Sequence, residues 1–271
     1  MGPFKVSNLL NRLKKEHDQV LNTQNALEQI HQKLEVMQEE VSSISHMLKD
    51  FLPRGDGRPD HNSQWNIHDV AALRASWTTY DFVEANLLTA DTFPDRLTHL
   101  RGLSDKVQIP GMVLEFGVGA GSSLLALSET FTDRLIVGFD SFEGLPEDWR
   151  TGFEKGFFSD VQIPTNINAK LVRGWFADTL KEFLDSEKDK VALVHLDADL
   201  YSSTSYVLEM LTERIQVGTV MVFDEFFNYP GWENHEARAF EEWLLKSEVK
   251  VEYLSYVPRH EQLAVRVIGV N

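Results

Sequence analysis

The sequence predicts an α/β fold: a mostly parallel seven-stranded sheet that ends in a C-terminal antiparallel hairpin, with a long coiled-coil helix before it. Three observations carry that prediction. From residue 111 onward short apolar runs alternate with helical stretches, the pattern of parallel strands covered on both faces. Residues 249–257 and 262–270 are two β-rich runs joined by Pro258-Arg259-His260-Glu261, the pattern of a hairpin. Residues 6–51 repeat apolar positions every 3.5 residues without interruption.

The heptad comes first in the chain. Its a positions are Val6, Leu13, Val20, Leu27, Leu34, Val41 and Leu48; its d positions are Leu9, Glu16, Thr23, Ile30, Met37, Ile44 and Phe51. Twelve of these fourteen are apolar. A repeat kept this strictly implies a left-handed supercoil rather than a helix lying on its own core. At about 1.5 Å per residue the helix would run roughly 70 Å. Such a stripe needs partners, so a homo-oligomer is expected through residues 1–52. Residues 53–66 hold Pro53, Gly55, Gly57 and Pro59 and read as a linker.

Residues 67–110 read as a helical lid or cap, with helices over about 67–88 and 93–103. Trp77 and Tyr80 could lie over a ligand, though aromatics at helical spacing more often face a core. The sheet domain is expected over 111–271. Its strands fall at 112–116, 135–139, 169–172, 191–196 and 219–223, with helices at 122–131, 178–186, 204–215 and 235–245.

Composition narrows the function. The net charge is -16, with -1 over residues 1–52 and -15 over the remainder. An acidic domain of this kind repels phosphate backbones, which disfavours a nucleic-acid substrate and an anionic membrane surface. There is no cysteine, hence no disulfide framework and no thiolate metal site. No apolar run is long enough for a membrane span, and the charged N-terminus is no secretory signal. A cytoplasmic protein is the expectation.

Gly117, Gly119 and Gly121 follow a strand and open a helix. Glycines there let the chain turn tightly and let a ligand approach the backbone. The helix that follows, opening on Ser122 and Ser123, offers free N–H groups. A dinucleotide fingerprint places its third glycine three positions after the second; here it comes two positions after. Asp140 ends the next strand, where a carboxylate can hold ribose hydroxyls. Its spacing suits either a dinucleotide or a nucleoside methyl donor, and the terminal hairpin favours the second.

Four segments then resemble one family in order. Glu115 with the three glycines resembles the first motif of class I methyltransferases, whose sheet is Rossmann-like. Asp140-Ser141-Phe142-Glu143-Gly144-Leu145-Pro146, Gly174-Trp175-Phe176-Ala177-Asp178-Thr179-Leu180 and Asp197-Ala198-Asp199-Leu200-Tyr201-Ser202-Ser203-Thr204 resemble segments of the macrocin-type sugar O-methyltransferases. The resemblance spans about 112–245. It implies S-adenosyl-L-methionine bound at Glu115, Gly117, Gly119, Gly121, Ser122, Ser123, Asp140, Ser141 and Asp197, with Trp175 and Asp178 near its adenine. It implies a divalent metal, Mg²⁺ foremost, on Asp197, Asp224 and Glu225. Asp199 matches the general base, with Asp197 beside it in the catalytic set. The acceptor would be a sugar hydroxyl on a small molecule or a glycan. One departure stands out: Glu225 replaces the family's second aspartate after the fifth strand.

Physical chemistry supports the same cluster. Asp197 and Asp199 end one predicted strand, and Asp224 and Glu225 end the next. Adjacent parallel strands bring these carboxylates to one crevice, where they raise one another's pKa unless a cation is present. The aromatic-rich run 225–232 could wall an acceptor pocket or pack on the sheet. His195 reads as an interior histidine, and His235 as a weak base candidate. Two other readings compete: a nicotinamide-dependent oxidoreductase on a similar sheet, and a non-catalytic scaffold.

Overall fold

The structure is a computed structural model that describes Lys33 and residues 66–270. The expected coiled coil and all but the last residue of the expected linker therefore lie outside the described residues, Lys33 apart.

The elements follow one another as α1 (Ile67–Asn86), β1 (Asp91–Thr92), α2 (Arg96–Gly102), β2 (Met112–Phe116), α3 (Ser122–Thr130), β3 (Ile136–Asp140), β4 (Lys170–Arg173), α4 (Phe176–Ser186), β5 (Val191–Leu196), α5 (Tyr201–Leu211), β6 (Val220–Phe223), α6 (Glu236–Ser247), β7 (Lys250–Tyr256) and β8 (Leu263–Gly269). They form one eight-stranded sheet in the order β1-β7-β8-β6-β5-β2-β3-β4. The five strands β6, β5, β2, β3 and β4 run parallel. β8 is antiparallel to both β6 and β7, as the hairpin required. The expected seven strands are eight, because Asp91 and Thr92 add a short parallel strand beside β7. Two residues are too few to show a period, so this strand has no signature in the sequence.

Side chains alternate between the two faces of the sheet. Met112, Leu114, Phe116, Val137, Phe139, Val194, Leu196, Met221 and Phe223 share one core with Leu180 and Phe183 of α4, Val207 and Leu211 of α5, and Phe240 and Trp243 of α6. Val113, Ile136, Leu193, Val220 and Val222 share the other with Leu100 of α2 and Leu124 and Leu127 of α3. β2, β5 and β6 are buried along their whole length, which is why they read as continuous apolar runs. Phe116 stacks on Phe139 at 4.7 Å, fixing β2 against β3 at the end nearest the glycine turn.

No residue of α1 lines the cavity at the strand ends. The inner side of α1 holds the aromatic loop after β6. Phe82 sits 5.5 Å from Phe226, 6.0 Å from Trp232 and 5.7 Å from Tyr253. Trp232 Nε1 donates to Thr78 Oγ1, and Asn228 N to Thr79 Oγ1, both at 2.9 Å. Trp77 and Tyr80 turn outward instead, 69% and 60% exposed. Core packing was the expected role for both, and the structure corrects it: the buried side of α1 is carried by Ala75 and Thr79.

Candidate functional site

The carboxyl ends of the parallel strands surround a cavity of about 750 Å³. Ligand sites of open α/β sheets lie at such strand ends. Gly117, Gly119, Ser122, Ser123, Asp140, Ser141, Trp175, Asp197, Asp199 and Glu225 all line it. These residues come from the ends of β2, β3, β4, β5 and β6, so one crevice gathers most of the positions singled out in the sequence.

The glycine turn is shaped by contact across the sheet. Gly117 has φ +95°, and a Cβ there would stand 1.7 Å from the Asp197 carbonyl oxygen. Only glycine lets β2 leave the sheet this close to the end of β5. Gly121, with φ +84°, caps α3 from the left-handed region. Asp140 secures the turn from β3: its Oδ2 accepts from Val118 N and Gly119 N at 2.8 Å, and its Oδ1 from Phe142 N at 2.6 Å.

Four expected site residues do not line the cavity. Glu115 is fully buried, and its Oε1 meets His195 Nδ1 at 2.9 Å. Its carboxylate is therefore engaged beneath the crevice and not turned toward a ligand. Gly121 faces Pro164 and Ile167. Asp178 is exposed in the first turn of α4, where a carboxylate complements the helix dipole. Asp224 is 2% exposed at its side chain and points inward.

Asp224 belongs to a charged network that the sequence did not reveal. Its Oδ1 lies 3.3 Å from His195 Nε2, and its Oδ2 accepts from Arg96 Nη1 at 2.9 Å. Arg96 Nη1 also reaches Asp197 Oδ2 at 3.3 Å, and Nη2 reaches Ser122 Oγ at 3.2 Å. Burial alone would push the His195 ring down, but its hydrogen bonds to Asp224 and Glu115 and their charges lift it to about 10. Burial would likewise raise Asp224; His195 and Arg96 outweigh it and bring the carboxyl to about 2. The network is thus an internally balanced set of charges rather than a pool of free carboxylates.

The carboxylates left facing the crevice are Asp197, Asp199 and Glu225, whose ligand oxygens can lie within 4.8 Å of one another. Burial, then the charge of Asp224, raises both Asp197 and Glu225 well above the ordinary carboxyl range. The same two causes lift Asp199 to about 7, against the pull of Arg150. Asp199 is held in the left-handed region at φ 59°, a conformation that aspartate tolerates at a cost and that often marks a working residue. Glu225 Oε2 has no hydrogen-bond partner. Asp197 also belongs to a second such group of closely spaced ligand atoms, with His195 and Asp224.

Glu236, at the start of α6, is a second residue without a sequence signal. It is fully buried, accepts from Glu225 N at 3.1 Å, and pairs with Thr204 Oγ1 at 3.3 Å. It ties the turn after β6 to α5. The aromatic run after Glu225 packs instead of walling the cavity: Phe226, Phe227, Tyr229 and Trp232 are at most 6% exposed, and none lines it. His235 stands outside the cavity beside Trp149 and Tyr229, its pKa lowered by burial and by Arg150.

Residues 158–247 match the family described as macrocin-O-methyltransferase (TylF). The chain is similar to the macrocin-type O-methyltransferases. It is 28% identical over 149 residues to 8-demethyl-8-(2,3-dimethoxy-alpha-L-rhamnosyl)-tetracenomycin-C 4'-O-methyltransferase of Streptomyces olivaceus, covering 44% of this chain and 54% of that one. It is 26% identical over 163 residues to demethyldecarbamoylnovobiocin O-methyltransferase of Streptomyces niveus, covering 50% and 61%. The matched stretch thus spans little more than half the length of either curated relative. Among solved structures, calicheamicin methyltransferase superposes with a TM-score of 0.52 at 22% identity, covering 78% of this chain and 98% of that one. That superposition shows the Rossmann-like methyltransferase fold. No helix among the described residues is long and apolar enough to cross a membrane.

Proposed function

We infer that this chain is an S-adenosylmethionine-dependent O-methyltransferase that acts on a sugar hydroxyl, in a glycoside or a surface polysaccharide, with a divalent metal assisting. One observation carries the reading: the glycine turn with Asp140 and the Asp197, Asp199 and Glu225 carboxylates line the same cavity. The first group suits a nucleoside donor, and the second suits an oxygen nucleophile. The Streptomyces olivaceus relative, described as a 4'-O-methyltransferase of a rhamnosyl-tetracenomycin, supports the acceptor class.

The donor fits the cradle, since nothing stands within 4 Å of the position a Cβ would take at Gly119. A divalent metal fits the carboxylates: the donor set is all oxygen, and Glu225 Oε2 has no other partner. Asp197 and Glu225 would hold it. When bound, it would lower the pKa of the acceptor hydroxyl and orient it. Transfer forms the bond from acceptor oxygen to methyl carbon and breaks the bond from that carbon to sulfur, leaving a neutral thioether. The hydroxyl proton passes to a carboxylate, and Asp199 is placed to receive it. Because the sulfonium is already activated, positioning supplies much of the rest. The heptad over 6–51 supports assembly of several copies, which would present several such sites together.

The test uses the full chain with labelled donor, Mn²⁺ or Mg²⁺, and panels of glycosides and phenols. Methylation of glycosides is expected. Asp199→Asn should keep its affinity for S-adenosylhomocysteine while turnover falls about 10²- to 10⁴-fold. Binding of NAD⁺ without S-adenosylhomocysteine, or methylation of phenols alone, would overturn the reading.

A further inference from the structure

α1 is apolar on two opposite sides. Ala75, Thr79 and Phe82 carry its inner side, against the aromatic loop after β6. On the outer side Ile67, Val70, Leu73, Trp77 and Tyr80 recur at intervals of three, three, four and three. At about 100° per residue, Val70, Leu73, Trp77 and Tyr80 fall within about 80° of one another, with Ile67 at their border. All five are exposed, Leu73 by 52% and Ile67 by 71%. Single apolar residues at a surface need no explanation, but a stripe of five along one helix marks an interaction face. A helix apolar on both sides belongs between two packed layers.

The chain before α1 points to what covers this face. The heptad over 6–51 gathers copies of the chain, and only residues 52–66 separate it from Ile67. Fifteen residues reach at most about 50 Å, so every assembled copy holds its α1 close to another. Five side chains alone give less area than the roughly 1,600 Å² of a standard interface. A tether offsets that shortfall, because it raises the local concentration of the second face to the millimolar range.

The pattern of the stripe sets its direction. Glu84, seven residues after Trp77, lies on the same face and is exposed. Two parallel copies would set Trp77 on Trp77 and Glu84 against Glu84. Antiparallel copies place Ile67 opposite Tyr80 and Val70 opposite Trp77, with Leu73 beside the two-fold axis. Aliphatic then meets aromatic, and each Glu84 passes beyond Ile67 of the other copy. The two first residues stand about 20 Å apart in that arrangement, well within reach of two tethers.

We propose that the outer stripe of α1 is a second self-association surface, on which two copies of this chain pair antiparallel about a two-fold axis near Leu73. The same patch then serves both copies, as an isologous contact requires. The pairing also braces α1 from outside and, through Thr78, Thr79 and Phe82, the loop that follows Glu225.

The chain has no cysteine, so one introduced thiol reports one contact. Leu73→Cys and Leu88→Cys are compared in the full chain under mild oxidation, with assembly size followed by sedimentation. Leu88 is 79% exposed but lies beyond the paired stretch. Facing thiols at Leu73 come within the roughly 4.4–6.8 Å between Cα atoms that a disulfide needs, whereas two copies of position 88 stand about 40 Å apart. Leu73→Cys should therefore form covalent dimers at least about tenfold faster than Leu88→Cys. Adding Trp77→Glu to Leu73→Cys should remove that advantage while the heptad still holds the copies together. Equal rates at the two positions, or an advantage that survives Trp77→Glu, would overturn the pairing even in an assembled protein. A full chain that sediments as a monomer and forms no covalent dimer would overturn it together with the heptad reading.

Discussion

The two halves of the crevice are made of different material. On the side of β4, β3 and β2 the wall is largely backbone. Its shape comes from the left-handed glycines 117, 119 and 121, and Asp140 spends its oxygens on backbone N–H groups. On the side of β5 and β6 the wall is charged side chain. Asp197 and Asp224 share Arg96 from 101 and 128 residues away, and Glu225 is braced by Glu236. A backbone site is written in neighbouring residues, because the turn and the ligand-facing groups are the same atoms. A side-chain site is assembled from distant helices, and only part of it is written in any one place.

The seam between the halves is where the largest effect is expected. Gly117→Ala places a Cβ against the Asp197 carbonyl at a φ of +95°, so β2 and β5 cannot both keep their ends. The loss should exceed about 3 kcal/mol and take S-adenosylhomocysteine binding with it. Gly119→Ala makes the useful contrast. Its φ is +51° but nothing lies within 4 Å of the added carbon, so only the backbone term remains, about 1–2 kcal/mol. Urea denaturation of the two variants separates crowding from conformation. Equal losses would show that the close approach of Gly117 to Asp197 is not what requires glycine.

The second effect belongs to the charged half alone. His195 joins Glu115 and Asp224 with no solvent contact. His195→Leu leaves two buried carboxylates without their shared cation and should cost about 3–5 kcal/mol. Ser141→Ala, on the backbone half, removes one hydrogen bond to Glu143 N and should cost about 1 kcal/mol. If the histidine variant proves as mild as the serine one, the network is not held together by charge.

Legibility follows the same division. The runs 112–116 and 191–196 read directly as strands because both faces of β2 and β5 are buried. The hairpin of β7 and β8 was marked by its turn. Asp140 and the glycines were found from spacing alone. Arg96 was not, since a lone arginine in a short helical stretch carries no pattern and its partners lie a hundred positions on. Glu115 and Asp224 were recognised as important carboxylates, but which way each points depends on His195, which the sequence shows only as one polar residue in an apolar strand. Trp77 and Tyr80 have helical spacing, yet spacing does not say which side of α1 meets the sheet.

Within the charged half two histidines are driven in opposite directions, and this gives the smallest and most specific expectation. His99, on α2, is fully buried, with Nε2 2.8 Å from Ser255 Oγ on β7 and its ring against Phe93 at 5.2 Å. Burial, helped by the nearby positive His195, lowers it from 6.5 to about 4; the charge of Asp224 opposes this but does not prevail. The native protein therefore keeps His99 neutral where the unfolded chain already binds a proton. Stability from this residue is complete above about pH 6.5 and is lost as pH falls toward about 4, where it amounts to about 3 kcal/mol. His99→Gln keeps a group able to pair with Ser255 but cannot titrate. Denaturation between pH 7 and pH 4.5 should therefore show a shallower loss in the variant than in the wild type, while both carry the same carboxylate contributions. Parallel curves would mean that His99 is not the neutral counterpart of His195, and that the acid sensitivity of this half resides in its carboxylates alone.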